Sequence, residues 1–333
     1  MAQPVLVTGA NGFLGRHIVA ELLLRGYSVR ALVRPHHPES PPLLPLEAPH
    51  LEVHIGDLTE PASVAGAASG CAAIIHAAAL ARVNPARNPA VWAANYTGTQ
   101  TMLQLAREAN VERFVYVGTA NVFGFGTRQQ PGDETRPYTG QHYGIDYMDS
   151  KVAATHAVLR AVQQEQLPAV LVHPTFMLGP GDVKPTSNAL LLELYRGRLP
   201  GYPPGGKNYV HVRDVATATV NALTLGSVGE SYILGNENLS YREAFGLIAG
   251  CLGVKAPRWP IPAGLATIYG RACDVKTRVT GRPAQLNAAM AAVANDGHYF
   301  SPQKARNALA LPQTPITLAV VEAFDWFKAH RYV

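Results

Sequence analysis

Apolar and polar positions in the first half of the chain form two kinds of alternating segment. Short runs rich in apolar and β-branched residues are typical of strands buried on both faces of a sheet. They occur at residues 4–8, 28–34, 51–56, 72–77, 113–118 and 169–173. Between them, amphipathic stretches at residues 13–25, 61–69, 88–110 and 143–166 predict helices. The alternation predicts an α/β fold, a doubly wound parallel sheet with helices on both faces.

The sequence pattern changes after residue 175. Glycine and proline become frequent, as in GPGDVKPT and RGRLPGYPPGGK, and helices alternate with short strands less regularly. Residues 210–235 predict a helix and a strand, SYILG, that returns to the first sheet. We therefore predict a first domain over residues 1–174 joined by 210–235, and a smaller C-terminal α/β domain over 175–209 and 236–333.

Charge and composition exclude several classes of protein. The 333 residues carry a formal net charge of +5, but the basic residues are scattered, so no nucleic-acid surface is expected. No apolar run approaches the ~20 residues of a membrane span, and the N-terminus lacks the pattern of a secretory signal. Three cysteines lie far apart without metal-ligand spacing, which favours a reducing, cytoplasmic setting.

A proline-rich stretch at residues 35–50 is expected to form a long surface loop. His36 and His37 lie in it without a partner that would make them metal ligands. No metal is therefore expected anywhere in the chain.

The stretch TGANGFLG places Gly9, Gly12 and Gly15 where the first strand passes into the first helix. Free backbone N–H groups and the positive end of a helix dipole meet at such a junction, which suits a pyrophosphate. The spacing GxxGxxG is related to the GxGxxG fingerprint of Rossmann domains. A tight turn chosen for packing is the alternative, but the position on the first strand of a βαβ unit favours a dinucleotide.

The second strand bears on which dinucleotide is bound. A carboxylate at its tip would hold the ribose 2′-hydroxyl of NAD, whereas this strand ends in Arg34. A guanidinium there can bind the 2′-phosphate of NADP, and Arg16, directly after Gly15, is a second candidate cation. We therefore favour NADP(H), with NAD(H) as the alternative.

Tyr147 and Lys151 are four residues apart on a predicted helix, so the two side chains share a face. A neighbouring ammonium is expected to lower the pKa of the phenol toward neutrality, which suits a general acid or base. Thr119 follows the fifth strand and would present its hydroxyl beside the cofactor.

An ordered set of motifs resembles the extended short-chain dehydrogenases/reductases. These motifs are TGANGFLG, GDL (56–58), HAAA (76–79), NYTGT (95–99), GTANVFG (118–124), YMDSK (147–151) and HPTFMLGPGD (173–182). Within that superfamily the chain is similar to the NAD(P)-dependent epimerase/dehydratase group. It is most similar to the dihydroflavonol-4-reductase-like and hopanoid-associated branch, on VRALVRP, GPGDVKPT, NYVHVRDVA and YILGNENLS.

The resemblance implies roles for individual residues. Tyr147 would be the general acid/base, Lys151 would bind the nicotinamide ribose, and Thr119 would replace the usual serine. Asn95 would support the lysine through water. The residues implied at the cofactor are Gly9, Asn11, Gly12, Phe13, Leu14 and Gly15 at the pyrophosphate, Arg34, Asp57 and Leu58 at the adenosine end, Ala77 and Ala79 along the cofactor, and Tyr147, Lys151, Pro174 and Thr175 at the nicotinamide.

Two departures from the family pattern bear on the reaction. Sugar-nucleotide epimerases and dehydratases usually carry an asparagine where this chain has Phe176, and a diphosphate-binding arginine where it has Lys207. With Phe125, Tyr143 and Met177, these changes predict an apolar, partly aromatic pocket.

Three functions follow from this interpretation. We favour NADP(H)-dependent reduction of a ketone on a bulky, largely apolar metabolite, or the reverse oxidation. The alternatives are an NAD-dependent sugar-nucleotide epimerase or dehydratase and, ranked last because Tyr147 and Lys151 are both present, a non-catalytic dinucleotide sensor. Residues 88–110 and 143–166 carry apolar residues on more than one side, and the equivalent helices of the family often pair, so a homodimer is expected.

Overall fold

The structure is a computed structural model that describes residues 3–35, 49–280 and 287–333. His36, His37 and most of the proline-rich stretch lie outside the described residues. Seven parallel strands form the main sheet, in the order β3-β2-β1-β4-β5-β6-β9. The strands are β1 (Val5–Thr8), β2 (Val29–Val33), β3 (Leu51–Ile55), β4 (Ala73–His76), β5 (Arg113–Val117), β6 (Ala169–Pro174) and β9 (Ser231–Leu234). The predicted doubly wound sheet is therefore confirmed.

Helices cover both faces of this sheet. They are α1 (Phe13–Leu24), α2 (Pro89–Trp92), α3 (Gly98–Glu108), α4 (Asp146–Glu165) and α6 (Val212–Asn221). The two faces carry separate apolar cores, one packed against α1 and α6 and the other against α3 and α4. β9 pairs with β6 in parallel, so residues 231–234 extend the main sheet as the sequence predicts.

A smaller sheet is formed by later parts of the chain. Its central strand β8 (Gly206–His211) pairs with β7 (Phe176–Leu178), β10 (Glu237–Ser240) and β11 (Gly297–His298). The helices in this part are α5 (Ala189–Tyr195), α7 (Tyr241–Leu252), α8 (Ala263–Thr280), α9 (Ala288–Asn295), α10 (Gln303–Leu309) and α11 (Ile316–Ala329). The division of the chain into two domains stays a prediction.

Two predicted helices differ from the structure. Residues 61–69 form only a 3₁₀ turn over 61–64, because Gly66 and Gly70 both adopt positive φ. The stretch 143–166 becomes helical only at Asp146, since Gly144 is left-handed and Ile145 is extended. Most of the apolar residues that suggested a dimer, such as Val91, Met102 and Val158, are buried within the chain itself and do not call for a partner. No helix among the described residues is long and apolar enough to cross a membrane.

Candidate active site at the carboxyl edge of the main sheet

The strand order of the main sheet reverses between β1 and β4. From β1 the sheet continues to β2 and β3, and from β4 it continues to β5, β6 and β9. Ligands of doubly wound sheets bind in the crevice outside the carboxyl ends of the strands at such a switch point. Gly9 follows β1 and Ala77 follows β4, so residues predicted to contact the cofactor flank this crevice from both sides.

The glycine turn after β1 is packed as closely as a backbone allows. Gly9 has a φ of +65°, and a Cβ there would lie 2.8 Å from the Cα atom of Ala78. A Cβ on Gly15 would lie 2.0 Å from the carbonyl oxygen of Gly9. A side chain at either position would therefore push the turn away from β4 or from α1.

The N-terminus of α1 is open to an anion. Gly12 precedes the helix without a side-chain cap, and the first turn contains no acidic residue. Leu14 is buried in the core and Phe13 is partly buried against it, while Asn11 and Gly12 are exposed. The free N–H groups and the glycine cradle fit the pyrophosphate of a dinucleotide.

A chain of buried hydrogen bonds stiffens the switch point. The Ala78 amide donates to Thr8 Oγ1 at 3.1 Å, and the Thr8 hydroxyl lies 2.7 Å from His76 Nδ1. His76 Nε2 lies 3.1 Å from the Thr99 hydroxyl, which itself donates to the carbonyl oxygen of Asn95 at 2.6 Å. These partners require the proton on Nε2. Burial, aided by the charge of Lys151, lowers the pKa of His76 to about 3, so the ring is neutral.

Asn95 connects two segments of the site. It lies in a π-turn over residues 93–97 and is 1% exposed. Its side-chain oxygen accepts from the Leu80 amide at 2.7 Å, and its amide group donates to the Ser150 hydroxyl at 3.1 Å. These bonds join the segment after β4 to the residue next to Lys151. The water-mediated contact to Lys151 that the resemblance implies stays a prediction.

An exposed cation, Arg34, lies where the family resemblance implies the adenosine would bind. Arg34 directly follows β2, and Asp57 lies just beyond β3. Although burial opposes it, hydrogen bonds from Thr59 and the nearby charge of Arg34 hold the pKa of Asp57 below its usual value. Leu58 is buried against Gly98, and Ala77 and Ala79 line the segment after β4 as partly buried and exposed residues.

Arg16 does not lie beside Arg34. Its side chain packs against Gly181, and burial lowers its pKa while the charge of Asp182 opposes this. One guanidinium nitrogen of Arg16 donates to the Asn11 carbonyl at 3.4 Å, and the buried Nε atom has no partner. Arg16 is therefore not a second cation beside Arg34 as predicted, because the fold directs it toward the loop at 180–182.

Tyr147 and Thr119 lie together, where the family resemblance implies the nicotinamide would bind. Tyr147 is in the first turn of α4 and Thr119 follows β5. Burial raises the pKa of Tyr147, and a hydrogen bond from the Thr119 hydroxyl opposes the rise. The expectation of a lowered Tyr147 pKa was therefore wrong.

The position of Lys151 explains why the pKa of Tyr147 is not lowered as expected. Its side chain is 1% exposed, and Nζ donates to the Val117 carbonyl at 2.7 Å, 4.4 Å from the centroid of the Tyr116 ring. Burial lowers the pKa of Lys151 to about 7. The ammonium is thus directed toward the end of β5. With this pKa it is only partly protonated at neutral pH.

A pocket opens beside Thr119, between the main sheet and the small sheet. The residues that line it are Thr119, Ala120, Asn121, Pro174, Thr175, Phe176, Lys207, Asn208, His298 and Phe300. Asn208 is buried and accepts from the Thr175 hydroxyl at 2.8 Å, so it joins the two sheets here. Thr119, Pro174, Thr175 and Phe176 are brought together as the sequence predicts.

The other predicted substrate residues lie around this pocket in different ways. Phe125 and Tyr143 contact His298, with ring centroids 4.4 and 5.9 Å away, so they support the pocket wall from behind. Met177 follows Phe176 in β7 and packs toward the core of the main sheet. Successive side chains of a strand point to opposite faces, so Met177 faces away from the pocket.

His298 and Phe300 are pocket residues that sequence reasoning missed. They belong to a two-residue strand and its continuation, more than 80 residues beyond β8. No local pattern marks so short a strand. Among the described residues, no group of three or more metal-ligating side chains is present.

Comparison with known proteins gives a consistent result. The model of the NAD dependent epimerase/dehydratase family matches residues 5–235. A protein of Synechocystis sp. named "Putative dihydroflavonol 4-reductase" is 31% identical over 339 residues, which cover 100% of this chain and 97% of that protein. The 2-alkyl-3-oxoalkanoate reductase of Stenotrophomonas maltophilia is 29% identical over 330 residues, 94% of this chain and 96% of that protein. The crystal structure of gox2253 superimposes with a TM-score of 0.84 at 33% identity and covers 98% of both chains.

Proposed function

The chain belongs to the NAD dependent epimerase/dehydratase family of extended short-chain dehydrogenases/reductases, and we propose that it is an NADP(H)-dependent carbonyl reductase. Its substrate is a ketone on a bulky, largely apolar metabolite, or the corresponding alcohol in the reverse direction. The observation that carries the proposal is the hydrogen bond between Thr119 and Tyr147, because Thr119 lines a pocket that Phe176 and Phe300 also line.

The chain's own groups hold and move the proton of this reaction. Burial raises the pKa of Tyr147, so its phenol keeps its proton at neutral pH and can give it to a carbonyl oxygen. The Thr119 hydroxyl is placed to donate a hydrogen bond to the same oxygen. Lys151, half-charged near neutrality, would bind the nicotinamide ribose. When bound, the nicotinamide supplies the hydride in reduction and accepts it in oxidation.

The choice of NADP(H) rests on Arg34. It is exposed at the tip of β2, where the adenosine ribose of a dinucleotide lies in doubly wound folds. Among the residues that the structure describes, no carboxylate lies in β2 or in the two residues after it. Asp57, just beyond β3, accepts two hydrogen bonds from Thr59, and Arg34 is exposed.

A sugar-nucleotide epimerase or dehydratase is the second candidate, and Lys207 is the observation that favours it. This lysine lines the pocket and could meet a diphosphate. Against it, the Phe176 ring occupies the position of the family's asparagine and lies 5.3 Å from Lys207 Nζ. A phenyl ring offers no hydrogen bond to a sugar or a phosphate.

A paired assay separates the two candidates. The purified protein is incubated with NADPH and a panel of ketones that includes 2-decanone and 2-methylcyclohexanone, and separately with NAD⁺ and UDP-glucose. The proposal predicts NADPH-dependent formation of alcohols and no change in UDP-glucose. Epimerisation or dehydration of the sugar nucleotide, without reduction of any ketone, would contradict it.

A further inference from the structure

Two polar side chains of the small sheet line the pocket, and in the described part of the chain each has an atom that lacks an ion-pair or hydrogen-bond partner. Lys207 in β8 and His298 in β11 are paired residues of adjacent parallel strands. Paired residues of neighbouring strands project from the same face of a sheet, so the two side chains lie next to each other. Both line the pocket that contains Thr119.

Lys207 lacks a counter-ion. The residue is partly exposed, but its ammonium lies over the Phe176 ring, and among residues 3–35, 49–280 and 287–333 no carboxylate lies within ion-pair distance of it. Burial lowers its pKa to about 8. A buried lysine without a partner loses hydration, and a bound anion would restore the lost stabilisation.

His298 has one ring nitrogen paired and one without a partner. The residue is 4% exposed, and its buried Nδ1 has no hydrogen-bond partner. Its Nε2 lies 3.4 Å from the Tyr143 oxygen, and the Tyr143 hydroxyl donates to the carboxylate of Asp296. Because that hydroxyl is committed as a donor, Nε2 must carry the proton it gives to Tyr143.

We propose that Lys207 and His298 together bind a carboxylate of the substrate, which makes the substrate an apolar oxo acid. This inference rests on the proposed function and narrows it. The Lys207 ammonium, and His298 once binding has protonated its Nδ1, would offer one donor to each oxygen of a carboxylate, while Phe176 and Phe300 provide apolar contacts beside them. A diphosphate would bring a larger negative charge to a site with one lysine and no arginine.

Binding of a carboxylate must change the protonation of the site. In a neutral His298 with Nε2–H, Nδ1 is a lone-pair acceptor and would repel a carboxylate. The groups that face this ring are Lys207, His142, Tyr143 and Asp296. Burial and the charges of Lys207 and His142 lower the pKa of His298 well below its usual value. A bound carboxylate raises the pKa values of both His298 and Lys207, so binding takes up protons at pH 8.

The test uses calorimetry on the protein saturated with NADP⁺, with octanoate and its neutral analogue octanamide as probes. Titrations at pH 8 in triethanolamine and in Tris, cationic buffers that differ in ionisation enthalpy, count the protons taken up. We expect octanoate to bind about 10- to 100-fold more tightly than octanamide, with proton uptake. Lys207→Met should lose this preference and leave octanamide binding unchanged, which also shows that the variant is folded.

Two further variants sharpen the test. Lys184→Met removes an exposed lysine outside the pocket and should behave as the wild type. Lys207→Arg should keep the preference for octanoate but take up fewer protons, because an arginine is always charged.

Different failures have different meanings. Equal binding of octanoate and octanamide, together with reduction of neutral ketones by NADPH, would overturn the carboxylate assignment and leave the proposed function standing. Tighter, Lys207-dependent binding of UDP than of octanoate would overturn it in favour of a diphosphate site. Octanoate preference without reduction of any ketone, oxo acids included, would contradict the proposed function and with it the assignment of an oxo-acid substrate.

Discussion

The Nζ atom of Lys151 donates a hydrogen bond to the carbonyl oxygen of Val117, 2.7 Å away, at the carboxyl end of β5. The ammonium is almost completely buried, and burial lowers its pKa to about 7. In this position the lysine is bonded to the backbone, and burial raises the pKa of Tyr147. At neutral pH the Tyr147 phenol is therefore protonated, one helical turn from a lysine that is only partly charged.

This burial predicts a pH-dependent stability. The lowered pKa means that the unfolded chain binds more protons than the folded one between pH 7 and about 10, so the free energy of unfolding rises with pH over that window. Lys151→Met removes this contribution. The free energy of unfolding of the wild type minus that of Lys151→Met should therefore increase with pH, with a slope of up to about 1.4 kcal/mol per pH unit. Urea unfolding at pH 6.5, 8 and 9.5 measures it, and a difference independent of pH would contradict the burial of the charge.

Two glycines with positive φ offer a matched comparison. A Cβ on Gly9 would lie 2.8 Å from the Ala78 backbone, whereas a Cβ on Gly26 would have no atom within 4 Å. Gly26→Ala should cost only backbone strain, about 1–2 kcal/mol. Gly9→Ala should cost more and should weaken NADPH binding at least tenfold, because the turn must move away from Ala78. Urea unfolding and NADPH titration measure both effects; equal losses in the two variants would show that the close approach at Gly9 does not matter.

Removal of the Tyr147 hydroxyl should abolish proton transfer without affecting the cofactor. We expect Tyr147→Phe to lower kcat for ketone reduction by about 10²- to 10⁴-fold while the Kd for NADPH changes little. Since the phenol must be protonated to act as an acid, the wild-type reduction rate should be flat near neutral pH and fall at alkaline pH. Steady-state kinetics from pH 6 to 10 test this, and a rate of reduction that rises with pH would argue against Tyr147 as the acid.

The exposed guanidinium of Arg34 at the tip of β2 should decide cofactor preference. Arg34→Ala is expected to weaken NADPH binding by about 10- to 100-fold, the effect of one charge-assisted contact, and to leave NADH binding unchanged. Arg160→Ala, which removes an exposed arginine on α4, is the control. Calorimetric titration with both dinucleotides measures the effect. Equal affinity for NADPH and NADH in the wild type would show that Arg34 does not read the 2′-phosphate.

The main sheet could be predicted because its strands are buried on both faces. The run at 28–34 became Val29–Val33 and the run at 113–118 became Arg113–Val117, so apolar content alone located them to within a residue. Since parallel strands share one carboxyl edge, the residues that follow each strand, from Gly9 to Thr175, could also be grouped from the sequence.

Features that depend on contacts distant in the chain could not be predicted. Lys207 and His298 meet only because β11 pairs with β8, and two residues are too few to show a strand pattern. The direction of the Lys151 ammonium depends on the Val117 carbonyl, which the i, i+4 spacing with Tyr147 does not reveal. Arg16 is drawn toward Asp182 by a loop whose position follows from the small sheet.

Transfer of deuterium from the cofactor tests the central claim most directly. The protein is incubated with NADPH deuterated at C4 of the nicotinamide, separately for each face, and a ketone that it reduces, and the alcohol is analysed by mass spectrometry. We predict one deuterium on the carbinol carbon from one face only, and almost no alcohol with Tyr147→Phe. Alcohol that carries no deuterium from either face, or unchanged turnover in Tyr147→Phe, would contradict a carbonyl reductase that uses Tyr147 as its acid.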